Sequence, residues 1–351
     1  MPSLADIFTP DAFSVYELTA AIQKMPPANT RIAELGLFRD IPINTTLVAV
    51  EESKGNLMVV PTTKRGGQGI LNKDVSRTVT SFAVPHIQVD DVVQSSDVTG
   101  VRAFGAEGVM ATGEVVGRKM AQMRRNIDFT TEFLRVGALQ GKVIFPDNSV
   151  DSALDLYTAF GLTNVATDQQ TLSFITGTAT TKIVQTIIPQ LHDMMEAALG
   201  GTPYTGIHVL CGRTFFRTLV GHAEVADLYK QITAQYALAA VTQAPGTVRR
   251  NMVTIDGVTF EEYYNVAGSG EGLGNDGLFQ AAATGYAVPL GTDIFHSYYA
   301  PADIVEAAGT LGQPMYARQW LSPDGKSAHL EAQSNVLSIC TRPRAIIKCT
   351  A

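Results

Sequence analysis

Charge is scarce in this sequence: Asp, Glu, Lys and Arg together make up 17% of its 351 residues, against 45% hydrophobic residues. In a chain long enough to bury a large core, so low a charged fraction leaves much surface suited to contact with other protein, and self-association is the expectation. The net charge of −7 argues against wrapping nucleic acid, because such binding needs clustered Lys and Arg to displace counterions. The basic pairs Lys64-Arg65, Arg118-Lys119, Arg124-Arg125 and Arg249-Arg250 read as solvated faces or salt-bridge partners. No apolar run approaches the ~20 residues that span a bilayer. The opening Met-Pro-Ser-Leu-Ala-Asp lacks the basic and then apolar stretches of a secretory signal.

Cysteine is scarce as well. Cys211, Cys340 and Cys349 have no metal-ligand spacing, and an odd number is a poor disulfide framework, which fits a reducing cytoplasm. The six histidines, His86, His192, His208, His222, His296 and His329, form no His-Glu-x-x-His pair and read as surface or packed residues rather than ligands. Gly268-Ser269-Gly270-Glu271-Gly272-Leu273-Gly274 lacks a following Gly-Lys-Ser/Thr and a strand-to-helix frame, so it reads as a loop and not a phosphate cradle. Asp147-Asn148-Ser149-Val150-Asp151 begins like a calcium loop, but Ser152 stands where Gly is needed and Thr158 where Glu is needed. No Gly-x-Ser-x-Gly elbow is present. These failures predict neither cofactor nor metal nor catalytic residue. A cytoplasmic α/β enzyme whose site is assembled from distant residues would leave no such trace, and stays as an alternative.

What is present is a sequence of dissimilar segments with no internal repeat. Residues 1–44 are apolar groups punctuated by Pro2, Pro10, Pro26, Pro27 and Pro42, an extended arm with one helix expected from Ser14 to Lys24, where Ser14 and Glu17 make a capping box. Residues 45–84 hold a β run Leu47–Val50, a turn at Ser53–Asn56, an answering run Leu57–Val60 and a third strand from Val75 to Val84, with Gly66, Gly67 and Gly69 as a bend. Such a projecting hairpin is marginal alone and is expected to rest on a neighbour. From Gly105 to Gln140 runs a helical pattern in which Val109, Val116, Met120, Met123, Ile127, Leu134 and Ala138 form one apolar stripe. On the face opposite, Glu114 with Arg118 and Arg124 with Asp128 are spaced to pair at i,i+4, and Gly137 and Gly141 mark the expected end. A helix of that length with a single stripe suits a beam.

The remainder reads as mixed α/β. Strands are expected at Val143–Phe145, Leu172–Ile175 and Ile207–Cys211, and helices at Thr181–Leu199 and Arg213–Val220. A hairpin is expected to turn at Asp256-Gly257, and another to join Met315–Leu321 to Ser327–Ala332 through Pro323-Asp324-Gly325.

This order, arm, projecting hairpin, long helix, mixed α/β region and returning strands, resembles the α+β Hong Kong 97 type capsid fold. Particular stretches resemble the lambda-type family of tailed-bacteriophage major capsid proteins. They are Glu51-Glu52-Ser53-Lys54-Gly55-Asn56-Leu57 through Pro61-Thr62-Thr63-Lys64-Arg65-Gly66-Gly67, Pro85 to Val93, Thr131 to Gly141, Tyr299 to Ile304 and Gln333 to Leu337. The resemblance implies an N-terminal arm (1–44), an extended loop (45–84), a peripheral domain with a spine helix (85–165 and 306–351) and an axial domain (166–305). It also implies an icosahedral head of hexamers and pentamers enclosing double-stranded DNA without sequence-specific contacts, assembled in the host cytoplasm.

The intersubunit loop residues would be Lys54, Gly55, Asn56, Lys64, Arg65, Gly66, Gly67 and Gly69. Implied partners are a portal, a scaffolding protein with an associated protease, and a decoration protein. Some members of the wider fold join a loop Lys to an Asn covalently, but no partner Asn or catalytic carboxylate for Lys54, Lys64 or Lys73 is identifiable. An encapsulin-like shell around cargo enzyme shares the fold and is the second reading.

Overall fold

A computed structural model describes residues 15–25, 30–53, 77–98, 112–144, 153–162, 169–174, 182–227, 251–263 and 281–350. The chain opens with helix α1 (Val15–Lys24), the short helix α2 (Arg31–Leu35), and strands β1 (Arg39–Pro42), β2 (Leu47–Ser53), β3 (Arg77–Ala83) and β4 (Ile87–Gln94). After one helical turn at Ser95–Val98 comes the long helix α3 (Thr112–Leu139), followed by β5 (Lys142–Ile144), β6 (Ala153–Asp155), α4 (Leu156–Ala159) and β7 (Thr171–Ser173). A π turn, Ile183–Ile187, leads into α5 (Ile188–Leu199). Then come β8 (Gly206–Cys211), α6 (Arg213–Gly221), β9 (Met252–Ile255), β10 (Val258–Glu262), β11 (Thr284–Leu290) and β12 (Phe295–Tyr299). The chain closes on β13 (Tyr316–Leu321), β14 (Ser327–Ser334), β15 (Val336–Cys340) and β16 (Ile347–Thr350).

Among the described residues the largest sheet has six strands in the order β7-β16-β11-β8-β10-β9. Its strand β8 is buried along Ile207–Cys211, as the run Ile-His-Val-Leu-Cys, apolar except at His208, suggests for a strand covered on both faces. Phe174, Phe215 and Phe260 meet edge to face, with centroids 5.6 and 5.7 Å apart, at its centre. The β9–β10 hairpin turns at Asp256 (φ 48°) and Gly257 (φ 76°), the two consecutive left-handed residues that a tight hairpin needs and that Asp-Gly accommodates. The final strand β16, from the stretch expected in the peripheral domain, runs in this sheet between β7 and β11.

Two three-stranded sheets, β1-β12-β15 and β13-β14-β4, lie elsewhere. On the second sit α1 and the first half of α3, whose Val115, Val116, Met120, Met123 and Ile127 bury with Leu18, Ile22, Val93, Leu330 and Ala332. The last turns of α3 instead put Val136 and Leu139 into the core that holds the six-stranded sheet. The helix therefore joins two separate cores. At 28 residues it extends about 42 Å, shorter than expected because residues 105–111 lie outside the described residues. It stops where Gly141 takes a φ of 77°, while Gly137 stays within the helix.

Of the three strands expected in this stretch, the first and the third are joined: β2 pairs antiparallel with β3, from Leu47 opposite Ala83 to Ser53 opposite Arg77. The strand runs through Ser53 where a turn was expected. The answering run Leu57–Val60 lies outside the described residues, as do the Ser14 cap, residues 145–152 and the glycine-rich 268–274.

Candidate assembly surfaces and the buried junction

The β2–β3 ribbon alternates as a two-faced strand pair must. Val48, Val50 and Phe82 are buried, with Phe82 against Phe160 at 5.7 Å between centroids, and Thr80 Oγ1 donates to the Ala159 carbonyl at 3.3 Å. The other face carries Leu47 at 60% and Val79 at 56% exposure. A second exposed apolar group lies at the β13–β14 hairpin. There Trp320 stacks on His329 (centroids 5.3 Å, planes 7° apart) beneath the Arg318 guanidinium at 4.9 Å, and Leu321 follows.

The other edge problem is managed within the subunit. Thr19 Oγ1 accepts from the Ala317 amide of β13 at 3.1 Å, and Gln23 Nε2 donates to the Met315 carbonyl at 3.1 Å. Helix α1 thus covers part of an edge strand whose N–H groups would otherwise be open to pairing.

The expected loop residues Lys54, Gly55, Asn56, Lys64, Arg65, Gly66, Gly67 and Gly69 lie outside the described residues. On α3, Glu114 stands in the first turn and Arg118 is exposed one turn later. Arg124 and Asp128 do form the expected pair, at 3.5 Å. They do not occupy a solvent face, however, since both are largely buried. Arg124 lies beneath α1, and its Nη1 donates to the Ile22 carbonyl, which also accepts from the Met25 amide at that helix's C-terminal end. Lys119 ties α3 to β4, with Nζ 2.8 Å from Asp91 Oδ1.

The most elaborate polar construction was not among the expected residues. Arg31 of α2 donates from Nε and Nη2 to the two oxygens of Glu261 on β10, at 2.7 and 2.8 Å, and His208 Nε2 lies 3.0 Å from Glu261 Oε2. One residue on, the Ile32 amide donates to Glu132 Oε1 of α3 at 2.9 Å, and the Tyr263 hydroxyl donates to the same oxygen at 3.2 Å. Glu261 and Glu132 are only 2% and 1% exposed, so each must have its charge compensated or lose it.

The two carboxylates respond oppositely. Burial pushes Glu261 up, but the paired hydrogen bonds and the charge of Arg31, with the His208 ring nitrogen 3.0 Å away, outweigh it and hold the carboxyl below its ordinary range. For Glu132 burial prevails over the Ile32 amide, the Tyr263 hydroxyl and the charge of Arg135, and its carboxyl is raised. Glu132 Oε2 is buried without a hydrogen-bond partner among the described residues.

One sequence signal could have found part of this. Glu261 and Glu262 are adjacent in a strand, where neighbours point to opposite faces, so in a covered sheet one of them must be buried and matched by a cation. Nothing local marks Arg31 as that cation.

Among the described residues no group of three or more His, Cys, Asp or Glu is placed to hold a metal ion, and no helix is long and apolar enough to cross a membrane. His192 lies 3.0 Å from the Tyr204 hydroxyl and 3.1 Å from the Asp256 carbonyl.

Known proteins share both the sequence and this arrangement. The structure of a prophage protein from E. coli CFT073, described as a capsid protein, superimposes with a TM-score of 0.58 at 12% identity, over 96% of this chain and 98% of that one. The Cyanophage Pam1 capsid subunit does so with a TM-score of 0.50 at 12% identity, over 90% and 88%. The fold is thus the α+β fold of phage capsid subunits. By sequence, the major capsid protein of Pseudomonas phage KPP10 is 26% identical over 342 residues, 96% of each chain. That of Salmonella phage Felix O1 (isolate Felix O1-VT1) is 27% identical over 360 residues, 95% of each. The family model for phage major capsid protein E matches residues 14–351, so the chain belongs to that family and is a major capsid protein of phage heads.

Proposed function

We propose that the subunit builds an icosahedral head of hexamers and pentamers around double-stranded DNA, with residues 45–84 reaching onto a neighbouring copy. The observation that carries this reading is the β2–β3 ribbon, seated on its own subunit by Val48, Val50 and Phe82 and offering Leu47 and Val79 outward. Apolar side chains at such exposure, on a strand pair that is not stable alone, favour a protein partner over water. Many weak contacts repeated under closed symmetry then make a particle that opens only if several break together.

The division into arm, loop, peripheral domain (85–165 and 306–351) and axial domain (166–305) belongs to the same reading. The cores are drawn across that division, since Val136, Leu139, Leu337 and Ile347 share one core with Ile188, Val209 and Phe260. The acidic net charge of −7 suits a shell that confines DNA without gripping it. A portal, a scaffolding protein with its protease and a decoration protein would be its partners in the host cytoplasm, and no catalytic role is assigned to the chain. Membership in a phage capsid family favours this content over the cargo of an encapsulin-like compartment.

Negative-stain microscopy of the expressed chain, with and without residues 53–69, tests the reading. The full chain should give closed shells and the deletion a soluble subunit that gives none. Normal particles from the deletion would overturn the role of the loop.

A further inference from the structure

The junction of Arg31, Glu261, His208, Ile32, Glu132 and Tyr263 lies where the long helix passes from one hydrophobic core to the other. Five α3 residues from Val115 to Ile127 are buried in the first core, and Val136 and Leu139 in the second. Glu132 stands between them. Helix α2 fills that position as a wedge with two fastenings on adjacent residues, the Ile32 amide to the helix and the Arg31 side chain to the sheet. The fastenings differ in kind. The helix side is a backbone amide on a carboxyl oxygen, a bond that a neutral acid or amide also accepts. The sheet side is a bidentate charge pair in a buried site, which exists only while Glu261 is ionised.

We propose that α2 is an acid-released latch between the long helix and the six-stranded sheet, opened on the sheet side when Glu261 takes up a proton from solvent. Neutral Glu261 would leave the Arg31 cation without its carboxylate partner, and the guanidinium would then favour water over burial. The charged and titratable groups facing the site are Arg31 and Glu34 on α2, Glu132 and Arg135 on α3, Glu261 and the adjacent Tyr263 at β10, and His208 and Cys211 on β8. Glu132 does not drive the opening, because its Oε1 keeps the Ile32 amide whether the group is charged or neutral. Release frees α3 to change its angle to the sheet within a single subunit, so the inference stands whatever the copies assemble into.

Amide hydrogen exchange of residues 30–36 in the full chain, stepped from pH 7 to pH 3 and corrected for intrinsic rates, tests the latch. In the unaltered chain protection should fall in a step below the ordinary carboxylate range and before global unfolding. Glu261→Gln should exchange this segment faster at pH 7, by about tenfold or more, and lose the step. Glu132→Gln should keep the step. If Glu261→Gln retains it, Glu132→Gln abolishes it, or the segment stays protected until the whole subunit unfolds, the latch is wrong. Should Glu261→Gln fail to fold, Arg31→Lys replaces it. Loss of the bidentate grip must move the step to higher pH, and an unmoved step overturns the proposal.

Discussion

Arg31 grips Glu261 with two hydrogen bonds of 2.7 and 2.8 Å across 230 positions of sequence. A pair so far apart in the chain, with the carboxylate 2% exposed, is made only when α2 and β10 have both reached their final places. Arg31→Ala leaves the carboxylate buried with its main counter-ion gone, and should destabilise the subunit by about 3 kcal/mol. Urea denaturation followed by circular dichroism reads this directly, and a loss under ~0.5 kcal/mol would show the pair to be incidental.

Stability should depend on pH with two opposite contributions from this junction. Glu261, held below its unfolded value, stabilises the fold above the ordinary carboxylate range, and that contribution disappears as pH falls through its folded pKa. Glu132, raised by burial, favours the fold when neutral, and its contribution is lost as pH rises from the ordinary range through its folded pKa. Glu132→Gln keeps the acceptor for Ile32 and removes the buried charge. Its stability at pH 7 should match or exceed that of the unaltered chain, with the decline on raising pH from about 4 to 7 reduced. Melting temperatures across that interval measure it.

Leu47 and Val79 face outward from a ribbon whose inner face is already packed. Replacing both by Ser should change subunit stability by less than about 0.5 kcal/mol and yet impair assembly. Thermal melting and sedimentation velocity on the same preparation separate the two effects. Normal shells from the double variant would remove this face from the interface.

Gly312 has no room for a side chain: a Cβ there would collide with the backbone carbonyl of Tyr299, while its own amide donates to the Ile43 carbonyl at 2.8 Å. Gly312→Ala should cost about 1–3 kcal/mol, read as a lower urea midpoint at unchanged slope.

Cys211, Cys340 and Cys349 are free and buried. Burial is the main cause pushing all three thiols up, Cys340 to about 12. None should react with a thiol reagent in the native subunit at pH 8, and all three should on unfolding. Rapid labelling of the folded chain would contradict their placement.

Much of the secondary structure was legible because it is encoded locally. The stripe Val116, Met120, Met123, Ile127, Leu134 and Ala138 is buried as its period requires, and Asp256-Gly257 turns the hairpin because only such residues adopt two left-handed conformations cheaply. The partner of β2 was not legible. Leu57–Val60 and Arg77–Ala83 are both suitable strands, and local pattern gives no preference for the more distant one. Arg124 was placed on the wrong side for a similar reason, since its spacing to Asp128 is a property of the helix but the cover provided by α1 comes from residues a hundred positions away.

The order of segments, with the resemblance it carries, was therefore determined by the sequence alone, because helix period, turn chemistry and low charge are properties of short stretches. Only the tertiary structure decided that α3 serves two cores, that α1 seals the edge of β13 and that Arg31 answers a buried Glu261. Each of these depends on which distant surfaces meet, and burial then turns an unremarkable Arg or Glu into one whose charge the fold must accommodate.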